Sequence, residues 1–207
     1  MFERQSVRGF LDRLASKDST PGGGSAAAIM GAMGAALVSM VCNLTIGKKG
    51  FEAQGKELER VLREAEALRG RLTAMIQADS DAFDRVMTAY ALPRVDDGEK
   101  AARAAAIQIA LKQATDVPLA CARACAEVIA LCKTAGELGN KNVVSDAGVG
   151  VMAAYAALKS AALNVYINLG AIKDEAFAAE RRAEIDRLVA AAEADAQVVY
   201  ALVKARL

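Results

Sequence analysis

Apolar residues recur every three to four positions along almost the whole chain, and the alternating pattern of strands is nearly absent. Glycine, proline and acidic clusters interrupt this periodicity at a few points, where turns are expected. The pattern predicts an all-α, single-domain bundle of long, partly kinked helices. The predicted helices are residues 2–16, 25–46, 52–90, 99–135 with a kink at Pro118, 146–169 and 173–205.

The second predicted helix, residues 25–46, contains no charged residue and is long enough to span a bilayer. However, it is mostly Ala, Gly, Ser and Met rather than Leu, Ile and Phe, so its free energy of transfer into lipid is poor. Small residues at spacings of four favour close packing against other helices. We interpret it as a central Ala/Gly-rich helix surrounded by protein, and we expect no membrane association.

The chain contains no histidine, which excludes Ser-His-Asp and Cys-His nucleophile systems and imidazole metal ligands. Acid–base chemistry must therefore fall to carboxylates, lysine, cysteine or tyrosine with shifted pKa values. The N-terminus is charged and has no apolar segment typical of a secretory signal, so we expect the four cysteines to be reduced core thiols of a cytoplasmic protein. They form no CxxC pair, so we expect no metal site. A formal net charge of +1 gives no electrostatic reason to expect nucleic acid as a partner.

One carboxylate lies in the apolar register of the third predicted helix. At about 100° per residue, Asp79 falls about 20° from Leu72, whereas Asp81 falls about 180° away. A carboxylate in an apolar stripe is costly unless it is paired or functional, and burial raises its pKa towards the range of a general base. The alternatives are that Asp79 caps a break in the helix or pairs with a buried lysine.

A glycine-rich segment precedes the uncharged helix, with Ser25 as the predicted N-cap. Exposed amides at a helix N-terminus, without side chains in the way, can bind an anion. The segment lacks the Gly-Lys-Ser/Thr ending of a nucleotide P-loop, and the alternative is a flexible turn that permits close packing. At the far end of the same helix, Lys48 and Lys49 either stabilise the negative end of its dipole or hold an anionic ligand.

Polar residues mark the fifth predicted helix. Ser160, Asn164 and Asn168 follow one another at spacings of four on an otherwise apolar face. Amides and hydroxyls that line a cleft suit a heterocycle with many donors and acceptors, and the alternative is interhelical hydrogen bonding. The segment before this helix, residues 140–146, ends at Asp146, which we interpret as the N-cap.

At these motifs the chain resembles the formiminotetrahydrofolate cyclodeaminase/methenyltetrahydrofolate cyclohydrolase family. The resemblance covers essentially the whole chain, and residues 19–28 carry its most specific block. The other matching blocks are residues 31–40, 43–48, 79 with 82–83, 116–119, 142–148 and 161–165. Two departures are Gly50, where a third lysine is common, and Phe51, where tyrosine is usual. They put in doubt a role for these two neighbours in holding a folate tail.

The resemblance implies an all-helical homodimer that converts 5,10-methenyltetrahydrofolate and water to 10-formyltetrahydrofolate, with no cofactor beyond the folate substrate. It implies catalytic roles for Asp79 and Lys48, with Lys48 tuning the charge of Asp79 or polarising the formyl oxygen. The implied substrate-binding residues are Pro21, Gly22, Gly23, Gly24, Ser25, Asn142, Ser145, Asp146 and Asn164. The alternatives are the cyclodeaminase reaction, which closes the ring and releases ammonia, and an inactive helical folate-binding or scaffold protein.

Overall fold

The computed structural model describes residues 5–207, and this part of the chain forms six α-helices and no β-strand. Short 3-10 turns, Glu52–Gln54 and Lys141–Val143, precede the third and fifth helices. The prediction of an all-α single domain is therefore confirmed. The helices are α1 (Val7–Leu14), α2 (Gly23–Asn43), α3 (Gly55–Tyr90), α4 (Asp97–Leu138), α5 (Val144–Leu169) and α6 (Glu175–Lys204).

Two predicted N-caps are wrong. α2 is capped by Gly22, because the Ser25 hydroxyl is buried and bonds to the neighbouring helix instead. α5 follows a 3-10 turn directly and starts at Val144, so Asp146 lies in its first turn, where a carboxylate still faces the positive end of the dipole. Of the first predicted helix, residues 2–4 lie outside the described part of the chain.

α2 is the central helix of the bundle, and it packs against α3, α4 and α5. α3 runs antiparallel to it, because Gly24 lies beside Asp79 while Gly31 lies beside Leu72. α5 is also antiparallel and approaches very closely: a Cβ at Gly34 would lie 2.9 Å from the Gly150 carbonyl oxygen. Small residues along α2 therefore allow three helices to surround it at short distances.

One side of α2 is nevertheless open. Met33 and Met40 are exposed on α2, and Val149, Met152 and Ile167 are exposed on the adjacent α5. The prediction that α2 is enclosed by protein is therefore correct for three sides only. By length and composition, both Gly23–Asn43 and Lys141–Leu169 could cross a membrane, but 61% and 50% of their most apolar windows are buried within the bundle.

α3 and α4 are much longer than the central helix α2. They have 36 and 42 residues against 21 in α2, so at about 1.5 Å per residue they extend well beyond its N-terminus. Phe83 and Met87 continue the apolar stripe of α3, from which burial would be expected, but they lie in this overhang and are exposed. The overhang leaves an open corner at the N-terminal end of α2.

The interior of α4 contains Pro118 and three of the four cysteines. The helix runs as one element through Pro118, and the predicted kink there stays a prediction. All four cysteines are free and buried, as expected for core thiols. Burial raises the pKa of the Cys42 thiol to about 11, which keeps it protonated at neutral pH.

Candidate active site

A cavity of about 340 Å³ lies in the corner between the N-terminus of α2, the overhang of α3, and the facing sides of α4 and α5. Both apolar and polar side chains line it. Its volume is within the range of small-molecule sites. The lining residues are Ser19, Thr20, Gly22, Gly23, Gly24, Asp79, Ala82, Phe83, Val86, Ala114, Asn164, Ile167 and Asn168.

Asp79 is the ionisable residue of this cavity, and α3 holds it against the first turn of α2. The Ser25 hydroxyl lies 3.0 Å from Asp79 Oδ2 and 2.9 Å from the Ile76 carbonyl oxygen. It can donate its single proton to either of these acceptors. Burial raises the pKa of Asp79, and hydrogen bonds from the Ser25 hydroxyl and backbone N–H lower it in part. Asp79 is half-buried in the cavity wall, on the side of α3 that faces α2, as its place in the apolar register predicts.

The glycines before and within the first turn of α2 make room for this carboxylate. A Cβ at Gly24 would collide with the Asp79 carboxyl group, whereas a Cβ at Gly23 would lie 3.6 Å from Asn164 Nδ2, an ordinary contact. Pro21 is buried next to the cavity but does not line it. Asp79 therefore uses the anion-binding end of α2, and the glycine segment is a requirement of packing as well as a wall of the site.

Two asparagines of α5 face Asp79 across the cavity. Asn164 Nδ2 donates to the Ser160 carbonyl oxygen at 2.9 Å, and Asn168 Nδ2 donates to the Ala114 carbonyl oxygen of α4 at 2.8 Å. Each amide thus keeps its Oδ1 as an acceptor for a ligand. Ser160, the third residue of the predicted polar line, donates to Ala156 in its own helix and does not line the cavity.

Some lining residues were not among the predicted site residues. Asn168 belongs to the predicted polar line of α5, one turn from Asn164 on the same face, but it was not among the substrate-binding residues implied by the resemblance. Ser19 and Thr20 belong to an irregular segment, so no periodic pattern indicates which way they face. Phe83 and Val86 line the cavity because α3 extends beyond the N-terminus of α2. This extension depends on how the two helices pack, which the sequence pattern of one helix does not show.

The remaining predicted site residues lie at the opposite end of α2. Lys48 follows the C-terminus of α2, which is about 30 Å from its N-terminus. The Asn140 backbone N–H donates to Thr45 Oγ1 at 2.9 Å, which brings the segment with Asn142, Ser145 and Asp146 to that same end. We call this group the Lys48 end. Within one chain Lys48 therefore cannot contact Asp79, so the expected tuning of the Asp79 charge by Lys48 does not occur within a single chain.

The chemistry available in the cavity follows from these contacts. Asp79 can accept a proton when ionised and return it when protonated, and it favours a cationic ligand. The amide oxygens suit N–H donors of a heterocycle, and Phe83 and Val86 suit its flat apolar faces. Among residues 5–207, no three Cys, Asp or Glu side chains are grouped so that they could hold a metal ion.

The raised pKa of Asp79 predicts a distinctive pH dependence of stability. Because the folded protein favours the protonated carboxyl, wild-type stability relative to Asp79→Asn should be highest below about pH 4, where the carboxyl is protonated in both states. It should fall as the pH rises through the folded pKa and then level off. Thermal unfolding of both proteins from pH 3.5 to 8 measures this difference. A difference that grows in favour of the wild type with rising pH would show that the pKa is lowered instead.

Comparison with known proteins agrees with this site. A family model described as formiminotransferase-cyclodeaminase matches residues 6–187, nearly the whole chain. The chain belongs to this family. The expectation from the sequence motifs is thereby confirmed, and the block of residues 19–28 and Asp79, which carried it, meet in the cavity.

Relatives within the formiminotransferase-cyclodeaminase family carry two kinds of name. The chain is 58% identical over 207 residues to methenyltetrahydrofolate cyclohydrolase of Methylorubrum extorquens, and the match covers both chains completely. It is 36% identical over 200 residues to formimidoyltransferase-cyclodeaminase of Sus scrofa, but spans only 37% of that protein. The crystal structure of formiminotetrahydrofolate cyclodeaminase from Thermotoga maritima matches with a TM-score of 0.82 at 34% identity, over 100% of this chain and 98% of that one.

Proposed function

We propose that this protein is a methenyltetrahydrofolate cyclohydrolase, which hydrolyses 5,10-methenyltetrahydrofolate to 10-formyltetrahydrofolate in one-carbon metabolism. The observation that carries the proposal is Asp79, an ionisable group with a raised pKa between the N-terminus of α2 and an amide-lined cavity. The full-length relative of the same name at 58% identity supports the reaction type. The enzyme acts on a cyclic amidine.

The substrate needs little activation. Its methenyl carbon bridges N5 and N10 and shares a delocalised positive charge, so it is already electrophilic towards water. The reaction still needs a base for the attacking water and an acid for the departing nitrogen. We propose that Asp79 supplies both, and that no cofactor beyond the tetrahydrofolate substrate takes part.

In the first step, ionised Asp79 takes a proton from water as its oxygen bonds to the methenyl carbon, which gives a neutral carbinolamine. In the second step, the bond from this carbon to N5 breaks, N5 receives the proton held by Asp79, and the carbinolamine hydroxyl releases its proton to solvent. The formyl group remains on N10. Asp79 ends ionised, as it began, and the net products are 10-formyltetrahydrofolate and one proton.

The rest of the cavity has binding roles in this proposal. The N-terminal amides of α2 at Gly23 and Gly24 stabilise negative charge on the oxygen as the carbinolamine opens. The Oδ1 atoms of Asn164 and Asn168 accept hydrogen bonds from the pterin ring. Phe83 packs against one ring face.

The cyclodeaminase reaction is the second candidate, favoured by the name of the Thermotoga maritima structure. Both reactions pass through a tetrahedral adduct at the same carbon, so one assay should separate them. Purified protein is given 5,10-methenyltetrahydrofolate in one arm and formiminotetrahydrofolate in the other, and methenyl absorbance is followed. The proposal expects loss of methenyl absorbance with the first substrate and a far slower gain with the second. Faster turnover of the formimino substrate, with ammonia release, would replace the proposal, and turnover of neither would favour a binding or scaffold protein.

We further propose that the protein works as a homodimer through the open face of α2 and α5. Met33, Met40, Val149 and Met152 are exposed there. α2 contains no charged residue, and α5 contains only Asp146, in its first turn, and Lys159. In the proposed dimer the two-fold axis lies in this face and is perpendicular to α2, so the second copy runs antiparallel to the first. Its Lys48 end would then approach the Asp79 cavity, which offers a partner for the predicted Lys48 role.

This arrangement predicts complementation between two inactive variants. Asp79→Asn and Lys48→Met should each lose most activity, but mixed dimers contain one site with both native residues. Unfolding and refolding an equal mixture should therefore restore about one quarter of wild-type activity. Each variant refolded alone is the control. No recovery in a mixture that forms mixed dimers would show that Lys48 does not act on the partner's cavity.

We propose a cytoplasmic location as well. The four free, buried thiols support a reducing compartment, because disulfides form and persist in oxidising ones.

A further inference from the structure

A proline occurs near the middle of the longest helix. Pro118 is buried inside α4, which runs continuously from Asp97 to Leu138. Proline has no backbone N–H, and its ring crowds the carbonyl four residues earlier, so the carbonyl of Ala114 loses its helical partner. Ala114 is itself buried, and a buried carbonyl without a donor is destabilising.

The donor that Ala114 receives comes from the active-site cavity. Asn168 Nδ2 of α5 donates to the Ala114 carbonyl oxygen at 2.8 Å, and both residues line the cavity. The carbonyl can only accept, so this bond determines which amide atom faces it: Nδ2 is engaged and Oδ1 remains for a ligand. Asn164 is held differently, by the Ser160 carbonyl of its own helix.

We propose that Pro118 is a positioning residue, which frees the Ala114 carbonyl to hold Asn168 with its Oδ1 available to an N–H donor of the substrate's heterocycle. A helical carbonyl that already accepts from the N–H four residues later is a weaker and less accessible acceptor, so an uninterrupted α4 would not hold this amide as firmly. The identity of the heterocycle as a pterin rests on the proposed function, whereas the positioning contact does not.

The contact is tested first by stability, without any substrate. Wild type, Pro118→Ala, Asn168→Leu and the double variant are unfolded thermally. Asn168→Leu should lower the Tm by about 3 °C in the wild-type background, because it leaves the Ala114 carbonyl without a donor. In the Pro118→Ala background the restored N–H serves that carbonyl, so the same change should cost less than half as much. Equal costs in the two backgrounds would overturn the proposal.

A control variant shows that any such coupling is specific. Gln108 also lies on α4 and links it to the loop after α5, since its Nε2 donates to the Ala171 carbonyl oxygen at 3.0 Å. It does not line the cavity. Gln108→Leu should lower the Tm by the same amount in the wild-type and Pro118→Ala backgrounds, because the contacts of Gln108 do not involve Ala114. If Pro118→Ala does not fold, Pro118→Gly restores the same N–H without added bulk and replaces it in every arm.

The functional consequence is tested by a second cycle on the full-length protein with 5,10-methenyltetrahydrofolate. Pro118→Ala and Asn168→Leu should each raise KM about tenfold, as expected for one lost hydrogen bond, with kcat changed much less. The double variant should be no worse than Asn168→Leu alone. Effects that multiply to about a hundredfold would show that Pro118 acts elsewhere and would overturn the proposal.

The two cycles separate this proposal from the proposed function. Coupling in Tm together with no turnover of the folate by wild type would support the contact and refute the cyclohydrolase assignment. Normal wild-type turnover together with additive Tm changes would support the cyclohydrolase assignment and refute the contact.

Discussion

The Asp79→Asn variant is expected to fold normally and to lose turnover of 5,10-methenyltetrahydrofolate by about a thousandfold. An amide has nearly the same shape as the carboxyl group and can still accept a hydrogen bond from Ser25, so the first turn of α2 keeps its contact. It cannot take a proton from water or return one to N5, and general acid–base catalysis is commonly worth about 10²- to 10⁴-fold. It also lacks the negative charge that favours a cationic substrate.

Steady-state kinetics and a separate binding measurement check this result. The matched control is Asp81→Asn, which makes the same chemical change two residues further along α3, where the side chain is exposed. The control should keep wild-type turnover. If Asp79→Asn turns over substrate near the wild-type rate, Asp79 is not the catalytic acid–base group, whether or not substrate affinity changes.

The second large effect is expected from Gly24→Ala. Its added Cβ would collide with the Asp79 carboxyl group, which is the end of a side chain and can move away by rotation. The carboxyl must therefore rotate out of its hydrogen bonds with Ser25, away from the position where it meets water. Because misplacement by about 1 Å can cost about a hundredfold, we expect a loss of that size in kcat, with some loss of stability.

Two other alanine substitutions distinguish this effect from general damage. Gly34→Ala brings a Cβ to 2.9 Å from the Gly150 carbonyl at the crossing of α2 and α5, so it should destabilise the fold by about 1–3 kcal/mol. Its folded fraction should keep most of its kcat, since the crossing lies away from the cavity. Gly70→Ala meets nothing within 4 Å and should be neutral or stabilising. If Gly24→Ala keeps wild-type kcat once folded, the close packing on Asp79 is not needed for catalysis.

Local periodicity is what made much of the site predictable. Asp79 follows from the helical register of α3, and the burial of Cys121, Cys125 and Cys132 follows from the face that they share on α4. The glycine segment was recognisable as a turn before a helix, although its packing against Asp79 was not. The two interpretations of Asn168 both hold, because its amide makes an interhelical hydrogen bond and also lines the cavity.

The expectations that the structure does not support concern features that depend on how one helix packs against another. Lys48 and Asp79 were grouped because both belong to family motifs, but α2 separates them by its whole length. Phe83 and Met87 continue the apolar stripe of α3, yet they are exposed because α2 ends before reaching them. Relative helix lengths and directions are set by tertiary packing, which the period of a single helix does not encode.

The most direct test is a crystal structure of the Asp79→Asn variant with 5,10-methenyltetrahydrofolate bound. The account predicts the heterocycle in the cavity at the N-terminus of α2, with its methenyl carbon within about 5 Å of the side chain at position 79. That spacing leaves room for one water in position to attack. A folate bound in another cavity, or one whose methenyl carbon points away from position 79, would contradict the account.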